Sequence, residues 1–275
     1  MSPELKEAYA RYLLTLADDE IVIGYRDSEW TGVAPVIEED VAFSSLAQDE
    51  IGHARLYYTL AGQRLGKDPD HLALLRPKEG YYHARLLEDR TTPKYDPGGD
   101  HQGGGDWAKA VARRFLYDLF DDLRVEGLLS SADPELAGAA EKIRREEKYH
   151  LRHGEAWWRT LAMGSVEARE RLEAALEAIW PDLLGLFEPA PGEEALVEAG
   201  LIARTTDALR DPWLERIYPY FEAHALPFPG EKAGAEWRLG VEARTGGRQG
   251  IHGPGWDELY EEMTMVRRLE PEGTW

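Results

Sequence analysis

Twice in this chain a Glu-x-x-His motif falls on the apolar stripe of a long helical pattern, and each time a further carboxylate sits on the apolar stripe of the helical pattern before it. The motifs are Glu50-Ile51-Gly52-His53 and Glu147-Lys148-Tyr149-His150. Positions i and i+3 of a helix share a face. Phe43, Leu46, Glu50, His53, Tyr57 and Leu60 form one stripe, and Leu136, Ile143, Glu147, His150, Trp157 and Leu161 form the other. Glu20 belongs to the stripe Leu5, Tyr9, Leu13, Leu16, Glu20, Ile23 and Asp27, 30 residues before Glu50. Asp118 belongs to the stripe Val111, Phe115, Asp118, Asp122, Val125 and Leu129, 29 residues before Glu147. This matching arithmetic predicts two antiparallel helical hairpins, with Glu20 level with Glu50 and His53, and Asp118 level with Glu147 and His150.

A single Glu-x-x-His says little, because 33 Glu among 275 residues would place one three positions before about one of the eight histidines by chance. Placement carries the argument. A carboxylate or imidazole directed into a core is costly unless it is paired, and four carboxylates meeting there repel one another unless cations lie between them. One acid from each of two helices and Glu-x-x-His from each of two others is the ligand set of di-iron and di-manganese carboxylate proteins of the ferritin-like class. The candidate metal ligands are therefore Glu20, Glu50, His53, Asp118, Glu147 and His150, holding two iron or manganese ions. The competing reading is a polar core network without metal. Asp122 or Glu126 could stand in for Asp118, and Asp19 for Glu20. His153 is expected in an outer or exposed position. His71, His83, His101, His224 and His252 have no ligand-spaced partner and are assigned nothing.

Punctuation sets the element boundaries. Ser2-Pro3-Glu4 and Asp133-Pro134-Glu135 each read as a cap, a proline at the first helical position and an acidic first turn. The first opens a helix to about Trp30, and a second helix follows over about Val36 to Leu65. A third runs from Asp106 to about Ser131, and a fourth from Asp133 to about Ala162. Between the hairpins, short helices are expected near His71 to Leu75 and Tyr81 to Asp89, then a loop over Thr91 to Gly105. A fifth helix should cover Ser165 to about Leu186, with shorter ones near Glu193 to Ala199, Pro212 to Phe221 and Trp256 to Leu269, and a glycine-rich loop over Ala243 to Gly255. The expected fold is all-α: a single ferritin-like domain over 1–275, with a four-helix bundle over about 3–162 and additional helices with irregular chain over 163–275.

Composition excludes several classes. A formal charge of -20 argues against nucleic acid, which is bound through clustered Lys and Arg. With no cysteine, any metal must be held by carboxylate and imidazole. No apolar run approaches the ~20 residues needed to span a bilayer, and the N-terminus lacks a signal-peptide layout, so a cytoplasmic location is expected. No nucleophile elbow, phosphate loop or dinucleotide fingerprint occurs.

The stretch Glu29-Trp30-Thr31-Gly32-Val33-Ala34-Pro35-Val36-Ile37-Glu38-Glu39-Asp40, the segments Asp133-Pro134-Glu135-Leu136 and Tyr149-His150-Leu151-Arg152, and the tail Arg244-Thr245-Gly246-Gly247-Arg248-Gln249-Gly250-Ile251-His252 with Glu262-Met263 resemble the C-type subunit family of phenylacetyl-CoA epoxidases. The resemblance extends over nearly the whole chain, and the tail is its most specific part. It implies a ferritin-like fold and membership of a bacterial multicomponent oxygenase that epoxidises the aromatic ring of phenylacetyl-CoA in phenylacetate catabolism. It implies further that a homologous A-type subunit carries the catalytic di-iron site, while the C type is a structural partner that usually lacks a complete ligand set. Here Glu20, Glu50 and His53 stand where such subunits commonly carry non-ligands. Two functions follow as expectations. One is a non-catalytic partner subunit with a vestigial or structural site, homodimeric when alone and pairing with the A-type subunit. The other is a di-iron oxygenase or oxidase in its own right. The aromatic side chains Trp180, Trp213, Tyr218, Tyr220, Phe221, Trp237, Trp256 and Tyr260 are expected mostly to wrap back onto the bundle.

Overall fold

The computed structural model describes residues 1–93, 105–234 and 236–273. Four long helices form its centre: α1 (Pro3–Ser28), α2 (Ile37–Leu65), α4 (Trp107–Leu128) and α5 (Pro134–Ala162). They begin and end where local chemistry requires. The Ser2 hydroxyl accepts from Leu5 N at the start of α1, the Asp106 carboxylate from Lys109 N at the start of α4, and the Asp133 carboxylate from Glu135 N at the start of α5. Gly66, left-handed at φ 65, closes α2. In the turn between α1 and α2, the Asp40 carboxylate accepts from the backbone of both Gly32 and Ala34. Trp30 is thereby set against Phe43 and Trp107.

Helix α1 packs along α2 and α4 along α5, and α2 meets α5 to join the two hairpins. Helix α3 (Pro69–Leu74) and short 3-10 turns at Lys78–Gly80 and Arg85–Glu88 carry the chain between the hairpins. The expected helix at Tyr81 to Asp89 is thus only one turn of 3-10 helix. Most of the loop expected over Thr91 to Gly105 lies outside the described residues. Helices α6 (Val166–Gly185) and α8 (Arg210–Ala223) cover α4, and α7 (Glu193–Glu198) lies on α1. Helix α9 (Trp256–Leu269) returns to α3. A small antiparallel hairpin, β1 (Gly230–Ala233) with β2 (Glu236–Leu239), pairs Lys232 with Trp237. It has no counterpart in the sequence expectations, and it turns through Gly234 at φ 69. Among the described residues the architecture is all-α apart from this hairpin.

The buried apolar cluster runs from Tyr9 to Met263, so the C-terminal third shares its interior with the four helices. Trp180, Trp213, Phe221, Trp237, Trp256 and Tyr260 are buried against it, and Tyr218 and Tyr220 partly so. On α5 it is Trp158 that is fully buried, with Trp157 only half-buried. Gly154 makes this close approach possible, since a Cβ there would meet the Phe115 ring at 2.8 Å. Among the described residues no helix is long and apolar enough to cross a membrane.

The tail motif has a steric reading. A Cβ on Gly247 would lie 2.3 Å from the His83 carbonyl oxygen, and one on Gly250 (φ +78) 2.3 Å from that of Glu79. Backbone meets backbone here, and neither side can yield by changing rotamer. Gly247→Ala is expected to lower stability by about 1–3 kcal/mol, the usual penalty of overpacking. The midpoint of urea unfolding measures it, and an unchanged midpoint would show that the tail moves aside freely.

Candidate metal centre

All six sequence-predicted residues are buried at the middle of the four helices. Glu50, on α2, is the hinge between two groups of three. Glu20, Glu50 and His53 form one, Glu50, Glu147 and His150 the other, and in each group the ligand atoms lie within 4.8 Å of one another. Asp118 belongs to neither. It faces Arg114 one turn earlier on α4, with Nε to Oδ1 at 2.8 Å, an ion pair rather than a hydrogen bond. Of the alternatives, Asp122 pairs with Arg216 at the rim, Glu126 is exposed, and Asp19 is engaged by Arg124 and Arg248. Asp121, not Asp122, is the buried acid one turn below Asp118. His153 lies outside the centre, with Nε2 2.7 Å from Glu39.

The two histidines are arranged by a cross-exchange. Each turns Nδ1 to the central carboxylates: His53 to Glu50 at 3.2 Å, and His150 to Glu147 at 3.1 Å. Each turns Nε2 to the acid that directly precedes the other helix's motif glutamate. His53 thus meets Glu146 of α5 at 2.8 Å, and His150 meets Asp49 of α2 at 3.2 Å. Sequence reasoning overlooked Asp49 and Glu146, although the doubled acids Asp49-Glu50 and Glu146-Glu147 were there to be noticed.

It also overlooked the cations. Arg114, fully buried on α4, donates Nη2 to Glu50 and reaches His150 Nδ1 at 2.8 Å, while Nη1 donates to Asp27 at 2.9 Å. Arg113 donates to the other oxygen of Asp27 at 3.0 Å. Further along the same helix, Arg124 binds Glu20 at 2.9 Å, Asp19 at 2.6 Å and Asp121 at 2.5 Å. Arg248 of the tail closes on Asp19 with two hydrogen bonds, 2.6 and 2.9 Å. The arginines of α4 belong to its own inward face, where a pattern search for apolar residues counts them as interruptions.

The charges are settled by proximity. Burial alone would raise Glu50, but the Arg114 guanidinium and the hydrogen bonds around it hold its carboxyl well below the usual range. Burial, with the charges of Asp121 and Glu50, pushes Glu20 well up. Asp118 is likewise pushed up by burial, against the opposing pull of Arg114. Burial disfavours charge on His53, yet the hydrogen bond and charge of Glu50, with Glu147 and Glu146, raise it to about 9. His150 goes up to about 12, because Glu147 and Asp49 outweigh both burial and Arg114.

The donors are therefore the right types for a metal, and several have only charge partners: among the described residues, Glu20 Oε2 and both oxygens of Asp118 and Glu147 are buried without a hydrogen-bond partner, although Arg114 ion-pairs with Asp118 and His150 with Glu147. A pair of ions nevertheless does not fit beside Arg114 as it stands. The guanidinium is anchored to Glu50, the residue both triads share, and lies 2.8 Å from Nδ1 of His150 in one of them. It is a built-in cation where the shared ligand would need a metal ion.

Because His53 is raised above its ordinary ~6.5, its contribution to stability is complete below that pH and disappears as pH rises through about 9. Raising pH from 7 to 10 is expected to lower the urea midpoint of the native chain more than that of His53→Gln. Equal pH dependence in the two proteins would rule out a charged His53.

The phenylacetic acid catabolic protein family profile matches residues 1–275. The C-type subunit of 1,2-phenylacetyl-CoA epoxidase from Escherichia coli (strain K12) is 29 % identical over 96 % of this chain and 98 % of its own length. The A-type subunit of the same enzyme is 24 % identical over 98 % of this chain and 87 % of its own length.

Proposed function

The chain belongs to the phenylacetic acid catabolic protein family, and from that premise we propose that it is a non-catalytic partner subunit of a phenylacetyl-CoA epoxidase, working beside a homologue of the A type. The similarity to the C-type subunit of such an epoxidase along nearly the full length of both proteins supports this reading. The single observation that carries it is Arg114. Catalysis by a di-iron centre needs metal ions between the carboxylates, to bind and activate dioxygen, and here Glu50 is already neutralised by a guanidinium of the same chain. In this reading the six residues are a vestigial ligand set turned to structural use. They hold the two hairpins in register, so that the outer helical faces are presented rigidly to a homologous subunit. The chain would be a single domain, homodimeric alone and cytoplasmic.

A second reading, a di-iron oxygenase in its own right, is favoured by the carboxylate oxygens of Asp118 and Glu147, which are buried without hydrogen bonds, and by the outer acids on both histidines, an arrangement that orients imidazole toward metal elsewhere. One experiment separates the two. The chain is expressed with iron, alone and together with an A-type homologue, and each preparation is assayed for iron and for epoxidation of phenylacetyl-CoA with a reductase. The partner reading expects no stoichiometric iron and no turnover from the chain alone, with co-purification and turnover when the A-type homologue is present. Two irons per chain and turnover alone would establish the second reading. Arg114→Ala should destabilise the chain by about 3–5 kcal/mol in chemical unfolding, because it leaves buried carboxylates without their cation.

A further inference from the structure

Away from the four-helix centre, the tail and the chain between the hairpins bring a second set of donors together. His83 and His252 are 169 positions apart in sequence, but their rings stack at 4.2 Å between centroids and 13° between planes. Both turn a nitrogen to the same oxygen of Glu88: His252 Nδ1 lies 2.8 Å and His83 Nε2 3.3 Å from Oε1. The three residues have one donor atom each within 4.8 Å of the others. We propose that His83, Glu88 and His252 form a mononuclear site for a divalent transition metal ion of the zinc class, which fastens the C-terminal tail to the segment between the hairpins.

Four features support this assignment. His83 is completely buried; its Nδ1 has no hydrogen-bond partner, and its Nε2 meets only the Glu88 carboxylate, at 3.3 Å. A buried imidazole with an unanswered nitrogen is costly unless a bound species or a shift of the ring answers it. Burial and the neighbouring His252 keep its pKa below the ordinary value, so it is neutral, with a lone pair to offer at neutral pH. The other donors are already oriented. His252 presents Nε2 to the Tyr81 carbonyl oxygen at 3.0 Å, the kind of outer bond that orients a metal-binding imidazole, and this turns Nδ1 toward Glu88. Glu88 accepts from Gly253 N at 2.6 Å through Oε2, which leaves Oε1 toward the histidines. Two imidazoles and one carboxylate suit zinc or cobalt(II), and three protein ligands leave a fourth position for water. Finally, one of the three donors borders open space: His252, with Gly253, lines a cleft of ≈ 340 Å³ together with Lys78, Glu79 and Trp256. This inference is independent of the reading of the bundle centre.

The test is titration of the full chain, stripped with chelator, by Zn²⁺ in a calorimeter and by Co²⁺ in visible absorption. The expectation is one ion per chain, with binding weakened in His83→Gln by more than the roughly 10–100-fold loss seen when only an outer partner is removed. His252→Gln should behave alike. If that variant fails to fold because it loses two hydrogen bonds, His83→Gln decides alone, since His83 has only the long 3.3 Å contact with Glu88 to lose. His53→Gln, in the bundle centre, should keep the ion. The inference is overturned if the native chain binds no ion, if folded His83→Gln binds as tightly as the native chain, or if His53→Gln removes the ion while His83→Gln retains it.

Discussion

Everything in this molecule depends on neutralising the acids inside its helices. Asp19, Glu20, Asp27, Glu50, Asp118, Asp121 and Glu147 are all buried, and an uncompensated carboxylate in such surroundings costs several kcal/mol. Arg113, Arg114 and Arg124 on α4 supply most of the answer from a single helix, reaching α1 through Asp19, Glu20 and Asp27 and α2 through Glu50. The first hairpin is thereby tied to the second by charge as well as by apolar contact. Replacing such a network by well-packed apolar residues is often neutral or stabilising, but removing one member is strongly destabilising. The network is therefore better understood as fixing one arrangement of helices than as a reserve of stability.

The same requirement recruits the tail. Asp19 accepts from Arg124 and from Ala84 N, and Arg248, brought from the far end of the chain, adds two further hydrogen bonds while also binding the Tyr82 carbonyl. A guanidinium can reach that depth only if the backbone around it lies flat on the segment between the hairpins. Gly247 and Gly250 permit this, each sitting where a Cβ would strike a carbonyl oxygen. Glu188 receives the tail from the other side, accepting from Gly246 N and Gln249 Nε2. The motif that looks like a flexible glycine-rich loop in the sequence is thus a close-packed strap.

What could be read in advance follows from the range over which each interaction acts. The four long helices were legible because caps, a proline at the first helical position and 3.6-residue periodicity are all local. The inward placement of Glu20, Glu50, His53, Glu147 and His150 follows from the same periodicity. Asp121 replaced Asp122 because a one-residue shift in a stripe that already contains polar residues changes little in the pattern. The β1–β2 hairpin was missed because Lys232, Trp237 and Arg238 give only a weak alternation over four residues. Arg114 was missed for a physical reason: on an inward face an arginine carries no periodic signal of its own, and its role exists only when carboxylates from α1 and α2 arrive beside it. The pairing of His83 with His252 has no local signal at all, since only the completed fold brings them together.

A resident guanidinium and a metal pair solve the same electrostatic problem with different consequences. Metal ligands must be assembled and deprotonated before they bind, so a chain whose interior acids await metal is coupled in its folding to the metal supply. Arg114 is delivered by α4 itself, is charged at every physiological pH, and is fixed by Asp27 at one end and Glu50 at the other. With it in place the interior can close during folding without an ion, and His53 completes the compensation by carrying a second proton, where a metal-bound imidazole would be neutral. On the partner-subunit reading, such a chain gives up the open coordination positions that dioxygen chemistry needs and gains a rigid framework whose geometry does not depend on its redox state. A protein that must hold its shape beside a catalytic neighbour through every turnover would be expected to have that property.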